Sequence, residues 1–410
     1  MKIILIVLDG VGDRPVKELD YQTPLEYANL PNMDELAGAG ICGLMDVLDP
    51  GVPPGSDTSQ MTFLGNNAYE FYSGRGALEA LGGGVDVSPD DVCFRTNFST
   101  VTKDASGKYI VENRRAGREI PHASEIIDII SHFKSPYDDV EARVIHTTQH
   151  RGALILSGHQ ITHEIGDTDP HEKHKPVHVP EIDQRDEAQK RTRKIIMDLQ
   201  DFVYEQLKDH PINEKRETEG KPPVNFLLVR GGGTLPRLTQ FARNFGIKGA
   251  FISGNSLING VCLATGLYPA MTDEDTNYEK KNAVADSVLE SHDFLFFHVK
   301  ETDNRSHDKD PKGVVSALEK IDKAVIAKFL KRDLNDSVIG LTGDHTTWSA
   351  TGRHCGDPVP IAIWGHGVRP DDVNHYDERS VNRGGLHRIQ GKHLLRTLCG
   401  YGDINKKFGS

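Results

Sequence analysis

The stretch KIILIVLDG (residues 2–10) is an unbroken apolar run that ends in an acid and a glycine. A run of this kind predicts a strand that is buried on both faces, as in a parallel sheet. Three later stretches have the same form: DFLFFHVKETD (293–303), SVIGLTGDH (337–345) and VPIAIWGHG (359–367). We therefore expect the four strands to belong to one sheet.

A helix is predicted between two of these strands, in VVSALEKIDKAVIAKFL (314–330). Its apolar residues recur at helical spacing and share one face, namely Val314, Leu318, Ile321, Val325 and Phe329. A strand, a helix and a second strand, with acids where the strands end, indicate an α/β fold. In such folds the functional site lies at the carboxyl edge of the sheet.

The middle of the chain has a different pattern. Residues 91–120 alternate polar and apolar side chains around the turn DASGK, as a hairpin does. Residues 187–209 have the spacing of a long amphipathic helix, and NFLLVRGGG (225–233) is predicted to be a buried strand that ends at a Gly-rich turn. We interpret residues 86–275 as a domain inserted into a discontinuous domain that is formed by residues 1–85 and 276–410.

The composition restricts the class of protein. The chain has 410 residues and a net charge of −12, which disfavours nucleic acid or a membrane surface as a partner. Its five cysteines are scattered without a C-x-x-C motif, as expected for reduced thiols in the cytoplasm. The apolar N-terminal run is too short for a signal peptide, and no stretch has transmembrane length. We expect a soluble, cytoplasmic protein, whose oligomeric state the sequence leaves open.

Acids and histidines follow the predicted strands. The set consists of three of each, Asp9, Asp303, His307, Asp344, His345 and His354. Each pair alone is explained by a solvated surface or a turn, but their conjunction at successive strand ends favours metal binding. Mixed carboxylate and imidazole ligands suit Zn²⁺ or Mn²⁺ better than Ca²⁺ or Mg²⁺. Six ligands are too many for one catalytic ion with open positions, so two ions are expected.

The stretch PGSDTSQM (54–61) contains three hydroxyl groups behind a turn signal. Ser56 follows Gly55, which permits a tight and exposed turn. An adjacent metal ion lowers the pKa of a serine hydroxyl and makes it a nucleophile at neutral pH. Ser56 is therefore the candidate nucleophile.

Motifs along nearly the whole chain resemble the cofactor-independent phosphoglycerate mutases of the archaeal type, in the alkaline phosphatase superfamily. They include VLDGVGDRP, PPGSD, GRGALEALGGGV, FRTNF, NRRAGR, HRGALILSG, DTDPHE, HVKETD, GDHTT and GDPVPIAIWG. The resemblance implies an alkaline-phosphatase-like three-layer core with a mainly parallel central sheet, plus an inserted α/β transferase domain. It also implies interconversion of 2- and 3-phosphoglycerate in glycolysis and gluconeogenesis, without added bisphosphoglycerate.

The resemblance also implies roles for particular residues. One ion would be held by Asp303, His307 and His354, and the other by Asp9, Ser56, Asp344 and His345. Ser56 would be phosphorylated during the reaction. Mn²⁺ and Zn²⁺ are the expected ions, with Co²⁺ and Mg²⁺ as further candidates. Two positions depart from the family pattern, since Ser306 replaces a glycine and Gln60 stands where the superfamily often has histidine.

The substrate carries a phosphate and a carboxylate, so cations must face it. Lys300 and Arg230 each end a predicted strand and are the candidate catalytic cations. Arg151, Arg115 and Arg118 are candidate substrate ligands, although a surface ion pair is the ordinary role of any one arginine. The resemblance adds Asp167, Asp169 and His171, whose acids would bind the glycerate hydroxyls or move their proton.

Two other functions compete with the mutase. A metal-dependent phosphohydrolase or a phosphopentomutase could use the same core, but the large insertion and its arginines favour the mutase. A mutase must retain glycerate and exclude water. A binding protein with a degenerate metal site is disfavoured because all seven expected ligands are present.

Overall fold

The computed structural model describes residues 1–117, 119–147, 149–273, 277–331, 337–365, 367–405, 407 and 409. The chain forms two compact units. The first unit comprises Met1–Tyr72 and Leu238–Ser410, and the second unit comprises Ser73–Arg237. Among the described residues, no helix is both long and apolar enough to cross a membrane.

The strands are numbered in chain order. They are β1 (Lys2–Leu8), β2 (Ile41–Asp46), β3 (Val92–Lys103), β4 (Tyr109–Asn113), β5 (Val140–His146), β6 (Arg151–Gly158), β7 (Phe226–Gly233), β8 (Gly249–Ile252), β9 (Tyr268–Met271), β10 (Phe294–Val299), β11 (Ser337–Gly343), β12 (Thr346–Trp348), β13 (Arg353–Cys355), β14 (Val359–Gly365) and β15 (His387–Gln390).

The helices follow the same order. They are α1 (Pro24–Tyr27), α2 (Pro31–Gly38), α3 (Ser56–Phe63), α4 (Ala68–Phe71), α5 (Gly76–Gly82), α6 (Ala123–Ile130), α7 (Glu187–Leu207), α8 (Pro211–Thr218), α9 (Phe241–Phe245), α10 (Ser256–Ala264), α11 (Tyr278–Leu289), α12 (Glu301–His307), α13 (Pro311–Ile321), α14 (Ala327–Leu330), α15 (Glu378–Val381) and α16 (Leu394–Tyr401). Short 3₁₀ helices span Lys17–Leu19 and Gly391–His393, and a π-helical segment spans Asp322–Ile326.

The first unit is built on one mixed sheet. Its strand order is β15-β2-β14-β11-β1-β10-β8-β9. β1 lies between β10 and β11 and runs parallel to both, which confirms the parallel, buried strand predicted for residues 2–10. The strand predicted at 359–367 is present as β14, but it runs antiparallel to β11. The connection between these two strands contains only the small β12–β13 ribbon and no crossover helix, so the chain reverses direction.

Helices cover both faces of this sheet. The predicted helix at 314–330 is confirmed as α13, the π-helical segment and α14, and its five apolar residues are all buried. They pack in one core with Ile4, Ile6 and Leu8 of β1. On the other face, Leu398 of α16 lies against Gly340 of β11, where an added Cβ would meet its side chain at 2.9 Å. The first unit is therefore an α/β domain.

The second unit contains an antiparallel sheet. Its order is β4-β3-β6-β5, and β7 pairs with β3 as well. The hairpin predicted around DASGK is confirmed by the antiparallel pairing of β3 with β4, and the predicted amphipathic helix is confirmed as α7. The buried face of α7 packs on this sheet through Ile195, Leu199 and Val203.

The units do not divide where the sequence predicts. Residues 73–85 fall in the second unit, and residues 238–275 fall in the first unit. The reason is pairing: β8 lies parallel to β10, and β9 lies parallel to β8, so both strands extend the large sheet. The helix α5, before the expected boundary, packs against β3.

Candidate functional site

Three adjacent strands of the first unit end beside one another. Asp9 follows β1, Lys300 follows β10, and Asp344 follows β11. Because β10 and β11 both run parallel to β1, their carboxyl ends share one edge of the sheet. Asp303 and His307 lie on α12, which starts directly after β10, so the predicted helical turn places them on one face.

Gly10 permits the close approach of these elements. Its φ is +63°, a conformation that favours glycine, and its N–H donates to Asp344 Oδ1 at 2.9 Å. An added Cβ would meet Asp303 Oδ1 at 2.8 Å. The acid-glycine end of the first apolar run is thus required by packing within the site.

Ser56 lies in the same cluster. It is the first residue of α3 and is 7% exposed, so it is not on the exposed turn that the sequence predicts. Gly55 has an ordinary φ of −89°, and its flexibility is not needed there. Ser56 Oγ lies 3.3 Å from His345 Nε2. The hydroxyl of Ser59 contacts Asp344 O at 2.7 Å and that of Thr58 donates to Gly55 O at 2.9 Å, so both are occupied by the backbone.

Three potential ligand atoms surround His345 Nε2, which is itself a fourth. This atom lies 3.2 Å from Asp9 Oδ1, 3.6 Å from Asp344 Oδ1 and 3.3 Å from Ser56 Oγ. Atoms that share one tetrahedral ion at bond lengths of about 2.0–2.1 Å are separated by roughly 3.3 Å. The three distances from His345 Nε2 are close to this spacing and are compatible with a shared ion.

A second group surrounds Asp303. Its Oδ1 lies 3.4 Å from His307 Nε2 and 3.8 Å from His354 Nε2. The other ring nitrogens face backbone carbonyls, with His307 Nδ1 2.9 Å from Gly352 O and His354 Nδ1 3.0 Å from Pro54 O. A carbonyl accepts only an N–H, so each Nδ1 carries the proton and each Nε2 keeps a lone pair for a ligand bond.

These residues fit divalent cations. In the part of the chain that the structure describes, two groups bring ligand atoms within 4.8 Å of one another, Asp303–His345–His354 and Asp9–His298–Asp344. This grouping places His345 with Asp303 and His354, whereas the resemblance implies that His345 binds the same ion as Asp9, Ser56 and Asp344. Both Asp9 oxygens are buried without a hydrogen bond of normal geometry among the described residues, although nitrogen atoms lie 2.9–3.2 Å away. Buried carboxylates are paired with positive charge, which Lys300 supplies at Oδ2, whereas Oδ1 faces His345.

The protonation of the cluster follows from its charges. Burial alone would raise the pKa of Asp9, but Lys300 and the contacts from His298 and His345 outweigh it and hold that pKa well below its usual range. Burial and the charge of Asp9 raise the pKa of Asp344 to about 6. Burial lowers the pKa of Lys300, but the charges of Asp9 and Asp303 outweigh it and raise that pKa. Lys300 is therefore a permanent cation in this site.

The histidines respond in opposite directions. Burial lowers the pKa of His345, but the charges of Asp344 and Asp9 outweigh it and raise that pKa to about 9. Burial and the neighbouring His345 lower the pKa of His354 to about 4. The neutral His354 ring stacks on His345 with 3.7 Å between centroids.

Sequence reasoning missed three contacts of this cluster. His298 Nε2 lies 3.1 Å from Asp9 Oδ2, Gln60 Nε2 donates to Asp344 Oδ2 at 3.0 Å, and Thr347 Oγ1 donates to Asp303 Oδ1 at 3.1 Å. In the sequence Gln60 is only a departure from the family pattern, yet its side chain fixes the orientation of the Asp344 carboxylate. Ser306 lies in the helical backbone of α12 without a positive φ, so serine causes no backbone strain there.

The second unit contains a separate charged cluster around Asp169. Asp169 is fully buried, and Arg114 donates two hydrogen bonds to it, from Nε at 2.8 Å and from Nη2 at 2.7 Å. The His171 N–H donates to Asp169 Oδ1 at 2.9 Å. Burial would raise the pKa of Asp169, but Arg114 outweighs it and lowers that pKa. An acid held in this state binds donors and does not carry a proton.

Two arginines offer donors near this cluster. Arg230 Nε lies 4.0 Å from Asp169 Oδ2, and burial and the charge of Arg95 lower the pKa of Arg230 to about 10. The Nε atoms of Arg230 and Arg151 are buried without a hydrogen bond among the described residues. Arg115 is exposed at the turn after β4, and Arg118 lies outside the described residues. Asp169 and His171 line a cavity of about 1000 Å³.

Comparison with known proteins identifies close relatives. A family model described as 2,3-bisphosphoglycerate-independent phosphoglycerate mutase matches residues 37–213. Proteins of that name are 39% identical in Ignicoccus hospitalis, over 100% of this chain and 99% of the relative, and 41% identical in Methanopyrus kandleri, over 100% and 98%.

Solved structures agree with this similarity over the full length. A protein from Pyrococcus horikoshii matches with a TM-score of 0.83 and 35% identity, covering 100% of this chain and 99% of its own. A cofactor-independent phosphoglycerate mutase from Thermoplasma acidophilum matches with a TM-score of 0.69 and 34% identity, covering 98% of this chain and 100% of its own.

Proposed function

The chain belongs to the family of 2,3-bisphosphoglycerate-independent phosphoglycerate mutases, and from that premise we propose which of its residues interconvert 2-phosphoglycerate and 3-phosphoglycerate. The observation that carries the proposal is the position of Ser56, whose Oγ lies 3.3 Å from His345 Nε2 at the end of the central strands. The other hydroxyls of the same stretch contact the backbone.

Two divalent ions belong to the proposal. Asp303, His307 and His354 would hold one ion, and Asp9, Ser56, Asp344 and His345 would hold the other. When bound, such ions lower the pKa of a serine hydroxyl and neutralise phosphate oxygens. The ligand types favour Mn²⁺ or Zn²⁺, and Co²⁺ and Mg²⁺ remain compatible.

The first transfer uses Ser56. Its Oγ gives up its proton and attacks the phosphorus of 3-phosphoglycerate, the bond between phosphorus and the C3 oxygen breaks, and that oxygen takes up a proton. Glycerate is thereby separated from the phosphoryl group and is retained for the second transfer. Because Ser56 begins α3, the phosphoryl group on it lies at the positive end of the helix dipole. Lys300 neutralises charge on the phosphoryl oxygens in the transition state. The second transfer is the reverse reaction at the 2-hydroxyl, which releases Ser56.

Residues of the second unit are proposed to bind the glycerate part. Arg230 and Arg151 each have a buried Nε without a hydrogen bond among the described residues, and a carboxylate would accept from them. Asp169 would accept hydrogen bonds from glycerate hydroxyls, with Arg114 fixing its orientation and His171 beside it. Arg115, exposed on the neighbouring turn, would add a further positive charge. Since the substrate is a glycolytic metabolite, we propose a cytoplasmic location.

Purified protein with 3-phosphoglycerate tests the function. We expect 2-phosphoglycerate without added bisphosphoglycerate, together with a phosphoserine at Ser56. Ser56→Ala should abolish both, and Thr58→Ser is the matched control because it keeps the hydroxyl that contacts Gly55. Rapid release of inorganic phosphate would favour a hydrolase. Persistent phosphorylation of Thr58 or Ser59 in Ser56→Ala would contradict the assignment of the nucleophile.

A further inference from the structure

We propose that His298 is a positioning residue of the metal centre. It holds the Asp9 carboxylate through Oδ2, and Ser253 orients its imidazole ring. The proposal rests on the two-ion site proposed above. It assigns a role to Ser253 and His298, two buried residues that are neither proposed metal ligands nor proposed catalytic cations.

The three residues form a row across neighbouring strands. Ser253 follows β8, His298 is the penultimate residue of β10, and Asp9 follows β1. β8 and β1 lie on either side of β10, and both run parallel to it. The row therefore runs across the carboxyl edge of the sheet, and Ser253, His298 and Asp9 are all 0% exposed.

The two oxygens of Asp9 face different partners. Oδ1 lies 3.2 Å from His345 Nε2, within the group that contains Ser56 and Asp344. Oδ2 lies 3.1 Å from His298 Nε2 and 2.9 Å from Lys300 Nζ. If Oδ1 binds an ion, Oδ2 remains free to accept a hydrogen bond from His298, and this bond would fix the orientation of the carboxylate. Carboxylates that bind metals are generally fixed in this way.

The hydrogen bonds of Ser253 indicate which ring nitrogen of His298 carries the proton. The Asn255 N–H donates to Ser253 Oγ at 3.2 Å, which leaves the Ser253 O–H available as a donor. Ser253 Oγ lies 3.4 Å from His298 Nδ1, and we infer that the Ser253 O–H donates a hydrogen bond to this nitrogen. The imidazole proton then resides on Nε2, directed to Asp9 Oδ2. Nε2 is buried and has no other hydrogen-bond partner among the described residues, and Asp9 Oδ2 lies 3.1 Å from it.

A direct ligand role for His298 is the competing possibility, because its Nε2 lies within 4.8 Å of ligand atoms of Asp9 and Asp344. The charges favour positioning instead. An ion bound at Asp9 Oδ2 would lie beside the Lys300 ammonium, which is 2.9 Å from the same oxygen.

Metal titration of the full-length protein tests the role. Mn²⁺ and Co²⁺ affinity and stoichiometry would be measured for the wild type, His298→Leu, His298→Gln and Ser253→Ala, by competition with a chelator. Thr265→Val is the control, because its buried hydroxyl contacts only carbonyls of α10 among the contacts resolved, Val261 O and Cys262 O. We expect His298→Leu to bind two ions at saturation, with one of them about 10–100-fold weaker.

The other two variants should lose less metal affinity than His298→Leu. His298→Gln keeps an N–H that can reach Asp9 and should recover most of the affinity, whereas Ser253→Ala should show an intermediate loss. Saturating Mn²⁺ should restore kcat in His298→Leu, while the concentration that gives half of the activity rises. If His298→Leu does not fold, as judged by circular dichroism, Ser253→Ala against Thr265→Val decides.

Three outcomes would overturn the inference. The first is an unchanged metal affinity in His298→Leu. The second is binding of only one ion by His298→Leu at saturation, which would make His298 a ligand. The third is an equal metal affinity of Ser253→Ala and Thr265→Val. A wild type that binds no ion would instead refute the proposed two-ion function, so the two failures are distinguishable.

Discussion

The Nζ atom of Lys300 lies 2.9 Å from Oδ2 of Asp9, and the same ammonium also contacts Asp303. One lysine thus joins carboxylates that are proposed to bind different ions. Its raised pKa keeps it charged throughout the neutral range. A fixed positive charge between the two proposed metal sites would suit the oxygens of a phosphoryl group bound there.

Lys300→Met should lower kcat about 10²–10³-fold, because the charge that stabilises the transition state is lost. Steady-state assays with saturating Mn²⁺ measure the change. Lys320→Met is the control, since Lys320 is an exposed lysine that pairs with Glu301 at 3.1 Å. Equal loss of kcat in both variants would argue against a catalytic role for Lys300.

Arg230→Met should raise KM for 3-phosphoglycerate about 10–100-fold, the usual cost of losing a charge-assisted hydrogen bond. Its Tm should not fall, because burial and the charge of Arg95 disfavour the charged side chain more than the attraction of Asp169 and Glu79 favours it. Assays and thermal unfolding give the two values. Arg185→Met is the exposed control. A large fall in Tm with unchanged KM would show that Arg230 is structural.

Chelation by EDTA should abolish activity and lower Tm, since three carboxylates of the site lose their cations. An ion present at 100 times its Kd stabilises the folded state by about 2.7 kcal/mol. Mn²⁺, Zn²⁺ or Co²⁺ should restore both properties. Ser56→Ala keeps six of the seven proposed ligands and should still show a fall in Tm on chelation, without activity. Indifference of activity to chelation would exclude the two-ion proposal.

Glu378→Gln should make stability less dependent on pH. Burial raises the pKa of Glu378 to about 7, and its Oε1 accepts the Asp13 N–H at 3.1 Å. The folded state therefore holds this proton more tightly than the unfolded state, and stability present below about pH 4.5 is lost as pH rises through 7. The loss is up to about 3 kcal/mol.

Urea denaturation at pH 5 and pH 8 measures this effect in the first unit. The wild type should lose stability between these values, and Glu378→Gln should lose less. A residual slope is expected from Asp13, whose pKa burial raises to about 6. Glu70→Gln, at an exposed position, is the control. Identical slopes in Glu378→Gln and the wild type would contradict the prediction.

The ends of the long central strands are predictable because an apolar run followed by an acid has few interpretations. Asp9, Asp303 and Asp344 are identified in this way. His298 is not, since it lies inside such a run and has the position of a core residue. Its partner Ser253 becomes apparent only from the sheet order, which places the four-residue strand β8 beside β10.

The boundaries of the two units and the direction of β14 could not be predicted from the sequence, for a related reason. Short strands such as β8 and β9 carry little periodicity, and their membership of a sheet depends on distant partners. The pairing of Arg114 with Asp169 joins residues that are 55 positions apart, and no local pattern links them. Local sequence determines helices and strand ends, whereas neighbours across the sheet follow from the packing of the whole unit.

The position of β1 has a consequence for biosynthesis. Both of its neighbours, β10 and β11, come after the whole second unit in the chain, so a growing polypeptide presents an apolar strand that has no partner. The second unit can complete its own antiparallel sheet during that interval. Nascent chains that stop before residue 294 therefore contain one foldable unit and one unpaired strand, which is the state from which aggregation would start.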